Sequence, residues 1–235
     1  HFILNRLPIL LLKMGKYHGA IKWLRKAIEQ FPEDIKNRLL LAHIHIQQGS
    51  IEEAILIYRE ILSITPKDET TLLRIGFLYS KENRFLEAEQ MFNEALIVNP
   101  ESFFANLYLA RLAKQTKKTK LAAQYYQKAL TLNWSVELAT EVADFYGLQK
   151  EYKKAIKTVR QLVKDHPDYK EDLANIYMQT GDFKEALKIL DELDDELGIN
   201  KDRDILRNRI YNATGRKKDQ IENLEDRVDK NPESE

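Results

Sequence analysis

A proline that recurs at a constant interval is the feature that most constrains this chain. Pro32, Pro66 and Pro100 are equally spaced, and Pro167 and Pro232 occupy the same place in later units. Short breaks between apolar segments keep nearly the same period, at Gly15, Gly49, Asn83, Lys117, Lys150, Gly181 and Gly215. A fixed period of roughly 34 residues indicates a stack of similar supersecondary units, because a single irregular core would not repeat its sequence.

The part of each unit before the break has the apolar spacing of an α-helix. In the third unit, Ile75, Gly76 and Tyr79 are separated by steps of one and three, so they share one helical face. Other units repeat this pairing of a large and a small residue, as in Leu41-Ala42, Leu109-Ala110, Val142-Ala143 and Leu173-Ala174. A small residue beside a large one favours close packing of each helix against its neighbour.

The part after the break predicts a second helix. It opens with an alanine in six units, at Ala20, Ala54, Ala88, Ala122, Ala155 and Ala186. A bulky residue follows four positions later, at Leu24, Tyr58, Phe92, Tyr126, Val159 and Leu190. Proline then ends the helix, because it lacks an N–H and clashes with the preceding turn. Each unit is therefore expected to be a hairpin of two helices.

In this register the chain resembles the tetratricopeptide-repeat family over nearly its whole length. The unit of residues 69–102 carries the family pattern at Leu72, Ile75, Gly76, Tyr79, Phe85, Ala88, Phe92, Ala95 and Pro100. The resemblance implies an all-α fold, a right-handed α-α superhelical solenoid of about seven helix hairpins. It also implies one domain over the whole chain, with repeats at about 1–34, 35–68, 69–102, 103–135, 136–166, 167–200 and 201–234.

The last repeat departs from the pattern. Gln220 and Arg227 stand where alanines are expected, and Arg207 stands where an apolar residue is expected. A terminal repeat has no neighbour on its outer side, so this polar character predicts that the last repeat acts as a cap. The final residues, 231–235, are expected to form a frayed or linker end. The acidic run 191–196, which is followed by a glycine, predicts a linker before the cap.

Composition and spacing exclude several kinds of site. The 37 basic residues balance the 37 acidic ones, so no global charge favours nucleic acid as a partner. No apolar run approaches the about 20 residues that span a bilayer, so no membrane insertion is expected. The absence of cysteine excludes disulfides, Cys-ligated zinc and thiol nucleophiles.

The histidines and glycines carry no recognisable chemistry. A helix points His43 and His45 to nearly opposite sides, so the two cannot share one metal ion. The eight glycines never form a phosphate-binding cluster. We therefore predict no catalytic residue, no metal, no cofactor, and a protein that is not an enzyme.

The resemblance implies that the first helices line a concave face in which partners lie. Register places ten residues on that face: Lys36, Leu39, His43, Leu73, Phe77, Lys81, Phe104, Leu107, Arg111 and Lys114. Leu39, Leu73 and Leu107 are each one repeat period apart, so they are expected to form an apolar row across three repeats. Apolar residues on a groove predict a partner, here a peptide or helix of another protein held by a scaffold or adaptor.

Charge is uneven along the chain, and the predicted groove follows it. Residues 1–135 carry 19 Lys and Arg against 13 Asp and Glu. The groove positions of later units include Glu137, Asp144, Asp168 and Glu171. This asymmetry favours a partner segment with an uneven charge of its own.

Two other hypotheses are open. The chain begins at His1 rather than Met, so it can be the repeat segment of a longer enzyme or of an envelope or secretion assembly factor. It can also be a self-assembling scaffold, in which the groove of one copy takes the terminal helix of another and forms a homo-oligomer.

Overall fold

Residues 2–230, the part of the chain whose backbone the structure describes, form fourteen α-helices and no β-strand. The structure is a computed structural model, and it describes side chains between residues 6 and 226. In chain order the helices are α1 (Phe2–Lys13), α2 (Tyr17–Gln30), α3 (Ile35–Gln47), α4 (Ile51–Ile64), α5 (Glu69–Lys81), α6 (Phe85–Val98), α7 (Phe103–Gln115), α8 (Thr119–Leu132), α9 (Val136–Leu148), α10 (Tyr152–Asp165), α11 (Lys170–Thr180), α12 (Phe183–Leu197), α13 (Lys201–Thr214) and α14 (Lys217–Lys230). The prediction of an all-α fold is confirmed.

Consecutive helices pair into seven hairpins, and each predicted repeat contains one hairpin. The turn inside each hairpin lies at the predicted break, because all seven break residues have a positive φ between 58° and 79°. A residue in this left-handed region ends a helix and redirects the chain. Glycine adopts the conformation at little cost, so Asn83, Lys117 and Lys150 are the strained members of the set.

In four of the hairpins, the first helix begins at an Asp or Ser whose side chain caps it. Asp34, Asp68, Ser102 and Ser135 precede α3, α5, α7 and α9, and each side-chain oxygen accepts a backbone N–H of the following turn. The donor–acceptor distances are 3.0, 3.0, 3.1 and 3.2 Å. Such caps satisfy N–H groups that have no partner within the helix, so they define where each helix starts.

Two sets of residues predicted from the sequence fill the core where the helices cross closely: the alanines of the second helices and the bulky residues that follow them. The six alanines that open the second helices are all 0% exposed. The bulky residues four positions later are buried beside them, with exposures between 0% and 3%. At one such crossing, a Cβ placed on Gly76 would lie only 2.5 Å from the Phe92 ring. The core therefore depends on small residues where two backbones approach.

The helices form two compact units that divide between Asn133 and Trp134. In the N-terminal unit, α1 to α8 stack as four hairpins, with α3 against α2, α5 against α4 and α7 against α6. In the C-terminal unit, α9 to α14 stack as three hairpins, with α11 against α10 and α13 against α12. The expectation that all seven repeats form a single domain stays a prediction.

The acidic run 191–196 is helical, so the prediction of a linker there is wrong. Helix α12 continues through the run to Leu197, and only the segment Gly198–Asn200 connects it to α13. The helix persists because Leu193, within the run, is 3% exposed and packs in the core of the C-terminal unit. Burial of one face thus outweighs the repulsion among neighbouring carboxylates.

Two buried arginines tie α13 to the preceding hairpin. Arg203 and Arg207 are 3% and 2% exposed. Asp194 Oδ1 accepts from Arg203 Nε at 2.6 Å, and Asp194 Oδ2 accepts from Arg207 Nη2 at 2.7 Å. Glu171 accepts from Arg203 at 2.9 Å, and Asp191 pairs with Arg207. The expectation that Arg207 belongs to a polar outer face is wrong, because its charge is buried against these carboxylates.

The surroundings of Arg203 favour its charged form. Burial by itself lowers the pKa of this guanidinium, but hydrogen bonds and charge from Asp194 and Glu171 reverse the effect and raise the pKa overall. A buried charge with several satisfied hydrogen bonds is stable, whereas the same charge without its partners is costly.

Helix α14 carries Ile221 and Leu224 outward. Ile221 and Leu224 are 56% and 45% exposed, whereas Gln220 and Asn223 are half-buried. The predicted role of the last repeat as a cap stays a prediction. The predicted frayed or linker end at 231–235 lies outside the described residues.

Replacing Gly76 with alanine should destabilise the N-terminal unit. The new methyl group must displace the Phe92 ring, which is 1% exposed, and overpacking of this kind costs about 1–3 kcal/mol. The matched control is Gly147→Ala, whose Cβ meets no atom within 4 Å and should gain up to about 1 kcal/mol of helix propensity. Urea denaturation followed by circular dichroism compares the two, and equal stabilities would contradict the packing argument.

Replacing Asp194 with asparagine should lower the free energy of unfolding by about 3 kcal/mol, because two buried guanidinium groups lose their shared carboxylate. The control is Asp195→Asn in the same helix, where the carboxylate is exposed and a change within about 0.5 kcal/mol is expected. Thermal and urea unfolding measure both variants. If Asp194→Asn were no more harmful than the control, the buried ion pairs would contribute nothing to stability.

Candidate functional site

A cavity of about 530 Å³ opens on the N-terminal unit between α3, α5 and α7, with α4 behind it. We call it the aromatic cavity. Its walls are formed by His43, Ile46, Tyr58, Thr70, Leu73, Arg74, Phe77, Leu78, Phe104 and Tyr108. Four of the ten residues predicted from register therefore meet around one space, namely His43, Leu73, Phe77 and Phe104.

Three aromatic rings dominate the cavity, and Tyr108 contacts the other two. The Tyr108 ring centre lies 5.8 Å from that of Phe77 and 6.3 Å from that of Phe104. Behind them, Tyr108 stacks on the buried ring of Phe92 at 5.2 Å. Phe77 and Phe104 are nonetheless 41% and 54% exposed. Rings held at these distances by their neighbours present a preformed apolar surface.

Two basic side chains lie beside this apolar surface. The Arg74 guanidinium lies 5.9 Å from the Tyr58 ring centre, and Lys81 Nζ lies 5.4 Å from the Phe77 ring centre. Neither of them forms an ion pair with a carboxylate of residues 6–226, and no acidic residue lines the cavity. Lys36 on α3 and Lys114 on α7 are exposed on the same helices that form the cavity, but they do not line it.

The leucines predicted to form an apolar row belong to the wall of the groove. Leu39 and Leu73 are half-buried against the core, and Leu73 alone of the three lines the cavity. Leu107 is 7% exposed, so its side chain supports the wall and offers little contact area. The remaining predicted residues, Lys36, Lys81, Arg111 and Lys114, are exposed outside the cavity lining.

Register could have found two cavity residues that the sequence reasoning missed. Arg74 and Tyr108 are one repeat period apart, so they occupy the same place in consecutive repeats. Tyr108 lies one helical turn after Phe104, and Arg74 lies one turn before Phe77, which places each on the face of a predicted residue. Arg74 and Tyr108 each directly follow a leucine of the predicted row, so the helical period alone could have identified them.

His43 and His45 face different spaces, as their spacing predicts. His43 lines the aromatic cavity, whereas His45 lines a separate pocket with residues of α2 and α4. Among the residues that the structure describes, no three His, Asp or Glu side chains converge in a way that could hold a metal ion.

The C-terminal unit has a cavity of a different character. It measures about 650 Å³ and lies between α9, α10 and α11. Asp144, Asp172 and Asn175 contribute polar groups, and Leu148, which is 74% exposed, contributes an apolar edge. Loss of solvent contact raises the pKa of Asp172, and the negative charges of Asp144 and Glu171 raise it further. This surface is acidic, whereas the aromatic cavity is bordered by basic residues.

Within residues 2–230, every helix is too short or too polar to cross a lipid bilayer.

Family models described as "Tetratricopeptide repeat" match the chain at residues 11–74, 73–137 and 144–198. These matches include the helices that form both cavities. No curated protein matches the sequence.

Solved structures share the fold at low sequence identity. A tetratricopeptide repeat protein from Parabacteroides merdae ATCC 43184 is 22% identical with a TM-score of 0.60, over 96% of this chain and 91% of that one. YrrB, described as a TPR protein with an unusual peptide-binding site, is 22% identical with a TM-score of 0.57, over 79% and 96%. Pseudomonas aeruginosa pilF is 21% identical with a TM-score of 0.59, over 89% and 96%.

Replacing Asp172 with asparagine should stabilise the C-terminal unit at neutral pH. A raised pKa means that the ionised carboxylate is less favourable in the folded chain than in the unfolded chain, so folding loses stability as pH rises through that pKa. The gain should stay below about 1 kcal/mol, because the group is partly exposed, and should vanish below pH about 3.8, where both states are protonated. Urea titrations at several pH values measure it.

The matched control is Asp168→Asn, whose carboxylate is exposed outside the cavity. Its effect on the free energy of unfolding should stay within about 0.5 kcal/mol, as is usual for an exposed position. A stability difference for Asp172→Asn that stays constant from neutral to acidic pH would contradict the assigned electrostatics.

Proposed function

The chain belongs to the tetratricopeptide-repeat family, and on that premise we propose that it is a scaffold or adaptor that binds a peptide or helix of another protein. The observation that carries the proposal is the aromatic cavity of the N-terminal unit. We infer that this cavity, with Lys36, Leu39, Lys81, Arg111 and Lys114 around it, forms the principal binding surface.

Exposed aromatic rings are the strongest support. Phe77 and Phe104 keep 41% and 54% of their surface in contact with solvent, although burial of apolar surface stabilises by about 25 cal/mol per Å². A partner that covers both rings recovers this free energy. Aromatic side chains at the centre of an interface commonly dominate its binding energy.

The rigidity of the cluster also favours binding. Tyr108 contacts Phe77 and Phe104 in front and Phe92 behind, so the rings already hold one arrangement before a ligand arrives. Little conformational entropy is then lost on association, which raises affinity for a given contact area.

The cavity has a suitable size and shape for part of a polypeptide. Its volume of about 530 Å³ lies within the usual range of ligand pockets, about 300–1,000 Å³. It opens along the first helices of three hairpins, so a bound segment can continue beyond the anchored side chains. YrrB, which has a similar fold, is described as having a peptide-binding site, and this supports a peptide as the class of ligand.

Selection from a displayed library of random peptides tests the proposal. Peptides enriched on the wild type should lose at least about thirtyfold in affinity for a Phe77→Ala/Phe104→Ala variant, since removal of two central aromatic anchors costs about 2 kcal/mol or more. Fluorescence polarisation with labelled synthetic copies of the selected peptides measures the affinities. Circular dichroism must first show unchanged helicity and melting.

The matched control is Leu86→Ala/Ile97→Ala, which removes two apolar side chains that are 79% and 81% exposed on α6, outside the cavity. Its affinities should remain within about twofold of the wild type. The proposal fails if no peptide is enriched, or if the enriched peptides bind the cavity variant as well as they bind the control.

A further inference from the structure

We propose that the cavity of the C-terminal unit is a second binding site, and that it takes a segment of another protein with an arginine or lysine beside an apolar side chain. This cavity of about 650 Å³ lies between α9, α10 and α11, and we call it the C-terminal cavity. No described residue lines both it and the aromatic cavity, so the inference goes beyond the proposed function and does not depend on it.

One face of α9 and one face of α11 line the C-terminal cavity. The residues from α9 recur at steps of three and four and share one side of the helix: Thr140, Ala143, Asp144, Gly147 and Leu148. The residues from α11 share one side in the same way: Asp172, Asn175, Ile176 and Gln179. Val159 and Leu162 of α10, which are 2% and 1% exposed, form the buried, apolar part of the lining.

Two carboxylates of the lining have no cationic partner. Asp144 and Asp172 are the charged residues among the described residues that line the cavity, and both are exposed. Neither forms an ion pair with a cation of residues 6–226. Lys170, two positions before Asp172, pairs instead with Glu196 at 2.6 Å. A positively charged group of a partner can therefore reach both carboxylates.

The electrostatics around Asp172 also favour a cation. Partial loss of solvent contact raises the pKa of Asp172, and the negative charges of Asp144 and Glu171 raise it further. Carboxylates that repel one another are stabilised in their charged form when an opposite charge comes close. A bound ammonium or guanidinium group would thus replace repulsion with attraction.

The apolar part of the lining indicates what carries the cation. Leu148 is 74% exposed at the edge of the cavity, and the ring of Tyr169 also belongs to the lining. Lysine and arginine join a long apolar stem to a charged end, and both groups bind favourably to aromatic rings. A metal ion would leave Leu148 uncovered, whereas a basic side chain with an apolar neighbour uses both parts of the lining.

Gly147 keeps this space open. Its backbone is helical and does not have a positive φ, and a Cβ placed on it would meet no atom within 4 Å. Neither the backbone nor the packing of the described residues requires glycine here, although glycine stabilises a helix less than any residue except proline. Because Gly147 lies on the lining face of α9, a larger side chain at this position would occupy the room that a ligand needs.

Selection from a displayed library of random peptides tests the proposal, with depletion on a full-length Gly147→Leu variant before each round on the wild type. Depletion removes peptides that bind elsewhere on the chain, including those in the aromatic cavity. The remaining peptides should carry arginine or lysine next to an apolar residue. In labelled synthetic copies, replacing that basic residue with norleucine should lower the affinity at least about tenfold by fluorescence polarisation.

A pair of charge variants tests the same site without changing its volume. Asp144→Asn/Asp172→Asn should bind the selected peptides at least about tenfold more weakly than the wild type, because two attractive charges are lost. The matched control is Asp168→Asn/Asp195→Asn, which removes two exposed carboxylates of the same unit outside the cavity. Its affinities should stay within about twofold, so a general attraction between a basic peptide and an acidic surface is recognised.

Each variant must first show wild-type helicity by circular dichroism, and Gly147→Leu should melt no lower than the wild type, because leucine favours a helix. The second site is rejected if no peptide survives depletion, if the surviving peptides are acidic or wholly apolar, or if both charge variants bind them equally well. These results do not involve Phe77 and Phe104, so a failure here and a failure of the proposed function are separate outcomes.

Discussion

The fit between a small residue on one helix and a ring on the next is the contact on which the rest of the structure depends. Phe92 fills the space that a side chain at Gly76 would occupy, and its ring then stacks on Tyr108 at 5.2 Å. Tyr108 in turn contacts the two exposed rings of the aromatic cavity. One close helix crossing therefore both closes the core and positions the rings of the candidate binding surface.

Both units are built from the same kind of helix hairpin, but they differ in how their basic residues are used. In the N-terminal unit, Arg74 and Lys81 are exposed and lie beside the rings of Tyr58 and Phe77. In the C-terminal unit, Arg203 and Arg207 are buried and hold α13 to α12 through Asp194. Basic residues are thus exposed in one unit and hold helices together in the other, and the difference follows from burial, because a buried charge must be paired.

The sequence by itself determined the repeat period, the two helices of each unit, the positions of the seven breaks and the alanines of the core. These features are local and recur in every repeat, so periodicity reveals them. Only the tertiary structure decided that Leu107 is buried, that Tyr108 reaches the cavity and that Arg207 is buried between carboxylates. Residues that share one helical face are equivalent in an isolated helix. The helices packed on either side select which of them remain in contact with solvent, and no single repeat contains that information.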